Sequence, residues 1–343
     1  MNIEINPNDL IQVFAVSVIS FGLAMILTPL LSYLLYRFKV WKKIRSAGMG
    51  GAKTPIYNKL HKKKHRRKIP TMAGILIWGV VLIVTLVLNF TRSQTYLPLF
   101  ALVAVGLLGL VDDIINVWGK NKIRGMRAFL KAGWLIVIAG LGSWWFFSKL
   151  GWSMIHVPGV GDFEIGWLYI PLFILVILAT SNAVNITDGL DGLAGGLLIS
   201  SFGAFGVIAF ARGQISLAAF CMTICGVLLA FTWFNIYPAR FFMGDTGSLA
   251  LGATLGVIAM LTNSVLVLPI IGFVFVVETL SVIIQITSKK LRKGKKVFLS
   301  TPIHHHFEAL GWPETKVTMR FWVIGVVMAA IGLVLGLIGM GTV

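Results

Sequence analysis

The chain has 343 residues, of which 57% are hydrophobic and 12% charged, and a mean hydropathy of +0.89. That composition excludes a soluble domain and marks a membrane protein. The formal net charge is +18, but the basic run "KLHKKKHRRK" has no interleaved aromatics and lies between two apolar stretches, so the expected partner is membrane lipid and no nucleic acid.

Apolar runs long enough to cross a bilayer are predicted at Ile11 to Tyr36, Ile75 to Phe90, Tyr96 to Val111, Phe129 to Phe147 and Trp167 to Ala183. Five more follow at Leu193 to Ala211, Ile215 to Phe234, Gly247 to Leu261, Val265 to Ile286 and Phe321 to Met340, the Gly247 run being the shortest. The first run follows the acids Glu4 and Asp9 and lacks both a basic leader and a small-residue cleavage site, so it is expected to stay in the mature protein. Between the fourth and fifth runs, "SKLGWSMIHVPGVGDFEIGW" alternates around Pro158 and predicts a short hairpin or interfacial piece, with His156 structural. Cys221 and Cys225 fall inside the seventh run and read as packing residues. The ninth run, interrupted by Pro269 and Gly272, carries Glu278; it is a candidate wall for a lipid groove, and Glu278 reads equally as a packing hydrogen bond.

With ten spans both termini share one face, and 27 of the 30 Lys and Arg residues then fall on the other: 13 in 37–69, 5 in 120–131, 1 in 235–246 and 8 in 288–320. Arg92, Lys149 and Arg212 are the remaining three. The positive-inside rule makes the basic face cytoplasmic and both termini extracytoplasmic. The expected fold is an all-α integral membrane protein of about ten transmembrane helices, one polytopic domain over residues 1–343, with its active site on the cytoplasmic face.

The acids gather at span ends on that face. "GLVDDIIN" carries Asp112 and Asp113, "NAVNITDGLDGLAGG" carries Asn182, Asn185, Asp188 and Asp191 at intervals of three, and "FFMGDTGSLALG" carries Asp245 between glycines. An aspartate at a span end can be a helix N-cap, and for Asp191 or Asp245 taken singly that reading weighs as much as a functional one. Five together repel, and a hard divalent cation bound through oxygen offsets the repulsion most naturally, favouring Mg²⁺ over Zn²⁺. Mg²⁺ that keeps several waters completes its shell with substrate phosphates, which points to phosphoryl-type transfer. On the same face "LSTPIHHHFEALGW" carries His304, His305 and His306. Neighbours on a helix point about 100° apart, so three in a row do not close on one ion and at most two face one site. Near phosphates an imidazole donates hydrogen bonds, neutralises charge or shuttles a proton; for each histidine singly, hydrogen bonding that shapes the loop weighs equally.

These segments, together with "PTMAG" at 70–74, resemble in order and spacing the polyprenyl-phosphate sugar-1-phosphate transferases. The triple histidine followed by Phe-Glu is similar to the bacterial phospho-N-acetylmuramoyl-pentapeptide transferase branch. The resemblance covers nearly the whole chain. It implies transfer of phospho-N-acetylmuramoyl-pentapeptide from the UDP-linked precursor (UDP-MurNAc-pentapeptide) to undecaprenyl phosphate, releasing UMP and forming the first lipid-linked peptidoglycan intermediate. The enzyme would be Mg²⁺-dependent, a multi-pass protein of the bacterial cytoplasmic (inner) membrane, and a homodimer is compatible with the sequence. By resemblance Asp245 is the metal ligand, and Asp112 and Asp113 act on the lipid phosphate or the metal shell. Asn185, Asp188 and Asp191 form the nucleotide-side cluster. Phe242 stacks on uracil with Asn235 and Lys68 as neighbours, and His304 and His305 are the catalytic histidines, with His306 on the substrate.

Two departures stand out. Ala73 occupies a turn where the family has glycine, and the family's Arg-x-Lys after the aspartate pair is here Arg127, Ala128 and Phe129, so Lys131 or Lys122 must take the lysine's part. Whether the lipid phosphate attacks directly or a carboxylate first forms a covalent intermediate stays open at this level. The alternatives are a relative that uses UDP-N-acetylglucosamine and, in a different class, a secondary transporter. Transporters, however, have midplane polar sites and matching halves, and this chain shows neither. A noncatalytic scaffold gives no reason for grouped aspartates.

Overall fold

The computed structural model describes residues 6–41, 68–91, 93–119 and 125–338. Lys122, Arg92 and all of the basic run except Lys68 lie outside the described residues. Apolar runs in lipid find no water for their backbone and close their hydrogen bonds internally, so each predicted span contains a helix. These are α1 (Pro7–Arg37), α2 (Gly74–Leu88), α3 (Tyr96–Trp118), α4 (Ala128–Lys149), α5 (Tyr169–Thr187), α6 (Leu193–Ala211) and α7 (Ile215–Asn235). After them come α8 (Asp245–Leu261), the short α9 (Leu268–Ile271), α10 (Phe273–Leu291), the short α11 (Ile303–Ala309) and α12 (Glu314–Leu337). Among the described residues, seven helices are long and apolar enough to cross a membrane, with α2 and α8 apolar but shorter. The chain is an all-α integral membrane protein.

Two predicted spans differ in detail. The ninth is broken at Gly272, whose N–H returns to the Leu268 carbonyl and ends α9, and the helix that resumes runs on to Leu291. The tenth starts at Glu314, because "ETKVTMR" is helical yet too polar to register in a search for apolar runs.

The shortest predicted span, α8, is the centre of the molecule: every residue from Thr246 to Leu261 is buried. It packs chiefly against α3 and α5. Small residues allow the close approach that membrane helices use in place of a hydrophobic drive. A Cβ on Gly252 would lie 2.5 Å from the Thr180 carbonyl oxygen of α5, and one on Gly109 of α3 would overlap the Asp245 carbonyl. The N-terminus of α8 is therefore seated directly against the last turns of α3, where Asp112 and Asp113 lie.

At the other end of α8, β1 (Met154–Val157) and β2 (Gly161–Glu164) form the expected hairpin, with His156 paired to Asp162. His156 Nδ1 is 2.8 Å from Asp162 Oδ1, and its backbone N–H donates to Asn263 Oδ1 at 3.0 Å, which pins the hairpin to the turn after α8. Cys221 and Cys225 are free and buried, as expected of packing residues.

Candidate active site

The site grows from the start of α8. Gly244 precedes it with φ 76°, a left-handed backbone that favours glycine, and a Cβ there would crowd Thr71 Oγ1 at 2.7 Å as well as the Asp113 carboxylate. The first N–H groups of a helix lack internal partners, and Asp113 Oδ2 accepts one of them, from Thr246, at 3.1 Å. A carboxylate from α3 thus caps α8 and complements the positive end of its dipole. Asp112, the preceding residue, points elsewhere: Oδ2 lies 2.5 Å from Lys131 Nζ, and Oδ1 accepts the Met126 N–H. The adjacent aspartates, both buried, serve different partners.

Lys131, in the first turn of α4, also lies 2.6 Å from Asp245 Oδ2. Its ammonium sits between carboxylates from α3 and α8, so Lys131 is part of the cluster, while Lys122 lies outside the described residues. Asn185, in the last turns of α5, donates to Asp245 Oδ1 at 3.1 Å and to Ser248 Oγ at 2.8 Å. Four helices thus each send a polar side chain to one point.

Beyond Asn185, Asp188 ends α5 and is partly exposed. Asp191 is 2% exposed; its N–H donates to Glu314 Oε1 at 2.7 Å, and its Oδ2 accepts the Ala239 N–H at 3.0 Å. Asn235 accepts the Gly192 N–H at 3.0 Å and donates to the Phe241 carbonyl at 2.8 Å. These contacts of Asp191 and Asn235 lie within the fold and join the 188–192 turn to the loop that leads into α8. The Phe242 N–H donates to the Pro70 carbonyl at 2.8 Å, and the Phe242 carbonyl accepts the Ala73 N–H at 3.1 Å. Partly buried Phe242 is so held beside the 68–73 turn, which begins at exposed Lys68. The same contact uses only backbone at Ala73, so alanine substitutes for the family's glycine there at no cost to this bond.

The three histidines go three ways. His304 Nδ1 is 3.0 Å from Glu278 Oε2, and His305 Nδ1 is 2.6 Å from Glu308 Oε2. Partly exposed His306 accepts the Leu299 N–H at 3.2 Å through Nδ1 and meets Phe298 edge-on. They do not converge on one ion, in keeping with their adjacency in sequence. His304 is fully enclosed, and its Nε2 abuts Gly189, the residue after Asp188.

Among the described residues no group of three His, Cys, Asp or Glu side chains has metal-binding geometry. Two carboxylates, Asp112 and Asp245, reach one cation, the Lys131 ammonium. An oxygen-only pair fits Mg²⁺, which needs one or two carboxylates and takes the rest of its shell from water and phosphate. It does not fit tetrahedral zinc.

A family model described as glycosyl transferase family 4 matches residues 95–263, which include Asp112, Lys131, Asn185 and Asp245. Over 321 residues the chain is 40% identical to a phospho-N-acetylmuramoyl-pentapeptide-transferase of Geobacillus thermodenitrificans, covering 92% of this chain and 95% of the relative. A relative of the same name from Chloroflexus aurantiacus is 44% identical over 283 residues, 78% of this chain and 77% of its own. One from Clostridium novyi is 40% identical over 318 residues, 92% and 94%.

Proposed function

The chain belongs to the phospho-N-acetylmuramoyl-pentapeptide-transferase family, and from that premise we propose that its reaction centre is the cluster of Asp112, Lys131, Asn185 and Asp245. The reaction is the first lipid-linked step of peptidoglycan assembly. The donor is UDP-MurNAc-pentapeptide and the acceptor undecaprenyl phosphate. An oxygen of the lipid phosphate bonds to the sugar-bearing phosphorus, and the bridging oxygen leaves with UMP and the bonding electrons.

A phosphate monoester is already a competent nucleophile, so the protein has mainly to position the partners and stabilise charge. The observation that carries this reading is the Lys131 ammonium, 2.5 Å from one carboxylate and 2.6 Å from another contributed by a different helix. Lys131 supplies fixed positive charge to phosphate oxygens, and Asp112 orients the acceptor through it. Asp113 keeps α8, and with it Asp245, in register. Asp245 and Asp112 are the residues that would hold Mg²⁺, which when bound neutralises charge developing on the diphosphate.

On the nucleotide side, Phe242 stacks on uracil beside Lys68, while Asn185 and Asp188 face the ribose and phosphates. Asp191 and Asn235 support that side through the 188–192 turn. His305 and His306 contact phosphate or sugar oxygens, and His304 lies behind the turn. The excess of Lys and Arg that the sequence carries in segments 37–69, 120–131 and 288–320 supports a site on the inner face of the bacterial cytoplasmic membrane.

Purified protein is incubated with undecaprenyl phosphate and either UDP-MurNAc-pentapeptide or UDP-N-acetylglucosamine, and UMP is measured. Release from the first donor alone is expected; release from the second would move the chain to the N-acetylglucosamine relatives. Asp245→Asn should abolish Mg²⁺-dependent release, and full retention would remove Asp245 from the centre.

A further inference from the structure

Glu278 lies in the second turn of α10, fully enclosed, and belongs to none of the motifs that carry the family resemblance. A fully buried carboxylate costs several kcal/mol unless it is paired, so its presence calls for a reason. Its one oxygen in a described hydrogen bond, Oε2, meets His304 Nδ1 at 3.0 Å, and neither residue exposes any side-chain surface. His304 Nε2 has no hydrogen-bond partner among the described residues and abuts Gly189, where any Cβ would overlap it.

The rest of the same face of α10 serves one purpose. Gln285 Oε1 accepts the N–H groups of Val297 and Phe298 at 2.9 and 3.1 Å, and its Nε2 donates to the Phe298 carbonyl at 2.9 Å. Ser288 Oγ donates to the Lys295 carbonyl at 3.1 Å. Residues 278, 285 and 288 fall on one side of a helix, so α10 grips the segment leading to the histidines at successive points and ends on His304. The backbone grips need only neutral groups; the last one uses an acid. A carboxylate accepts hydrogen bonds and does not donate, so it keeps the proton on Nδ1 and fixes the ring plane, as outer-shell carboxylates do for functional imidazoles.

We propose that Glu278 is a positioning residue for the transfer: through His304 it braces the Asp188–Gly189 turn from behind, and so holds the nucleotide-side residues in place for the UDP-linked donor. This inference rests on the assignment of that turn to the nucleotide side. Glu278 itself touches no substrate. Its effect should therefore fall on the nucleotide donor and spare the lipid acceptor, a selectivity that a general packing role would not produce.

The test uses the full chain in detergent or lipid discs, with steady-state kinetics for both substrates and a direct Kd for UDP-MurNAc-pentapeptide. Glu278→Ala should lower kcat/KM for the nucleotide donor about 10–100-fold, mostly through KM and Kd, with the KM for undecaprenyl phosphate unchanged. Glu278→Gln, whose amide oxygen accepts the same Nδ1–H, should recover most of the affinity. Adding Glu278→Ala to His304→Ala should cost nothing further, since both act through one contact. Gly189→Ala, which presses on Nε2 from the other side, should reproduce the donor-selective defect. The brace is overturned by wild-type donor affinity in Glu278→Ala or, should that variant fail to fold, in Gly189→Ala. It is also overturned by losses that multiply in the double variant, or by equal losses for both substrates. A wild-type protein that binds the donor but transfers nothing would count against the assigned reaction and leave the binding comparison intact.

Discussion

Lys131 and Asp245 are 114 residues apart in the chain, yet Nζ and Oδ2 lie 2.6 Å apart, with Asp112 at 2.5 Å on the other side of the same ammonium. The ion pair exists because Gly109 lets the start of α8 sit against α3 and because α4 begins just beneath it. Without the ammonium, two carboxylates would face each other across that gap.

Lys131→Met should therefore lower UMP release by about 10²–10³-fold, the loss typical of removing one preorganised charge-stabilising donor. Lys131→Arg should restore little of it, because a planar guanidinium fork does not reproduce a point charge between two single oxygens. Steady-state UMP release checks both, and turnover at the wild-type rate in Lys131→Met would place the centre elsewhere.

The paired aspartates should separate by phenotype. Asp113 caps α8 through the Thr246 N–H, so Asp113→Ala should cost about 1–2 kcal/mol of stability, read as a lower thermal midpoint in detergent, while Asp113→Asn keeps an acceptor oxygen and most of that stability. Asp112 caps no helix. Asp112→Asn should lose activity while keeping a near wild-type midpoint, and equal destabilisation by both variants would contradict this division.

The spans could be read from the chain because hydropathy reports them directly, and the three acidic clusters because alternating topology sends their span ends to one face. Lys131 was only one of two candidates, since a lysine just inside a span reads equally as a side chain snorkelling to the interface. That Asp191 and Asn235 are engaged within the fold, and that Glu278 faces His304, depends on contacts across 48, 43 and 26 residues that no periodicity encodes. The importance of α8 was hidden for another reason: a short, glycine-rich run looks like a weak span, whereas small residues are what allow it to be the most enclosed helix.

Chelation should stop catalysis without unfolding the protein. The carboxylates that would hold Mg²⁺ are already neutralised in part by Lys131, and α8 is held by Asp113 and by its packing, so the fold does not depend on the ion. The expected result is loss of UMP release in EDTA, recovery on adding Mg²⁺, and an unchanged thermal midpoint. Undiminished release in excess chelator would dismiss the metal, and a falling midpoint would make it structural.

Packing far from the chemistry should matter through α8. At Gly252 an added methyl carbon would lie 2.5 Å from the Thr180 carbonyl oxygen, a backbone atom that cannot swing aside. Gly252→Ala should cost about 1–3 kcal/mol through overpacking. It should also lower turnover, since a helix displaced by about 1 Å carries Asp245 away from Lys131 and misplacement on that scale costs about 10²-fold. Gly22 on α1 has no atom within 4 Å of the corresponding position, so Gly22→Ala is the matched control and should leave both the midpoint and turnover unchanged. If Gly252→Ala matched the control, the close contact between α8 and α5 would not be what holds Asp245 in place.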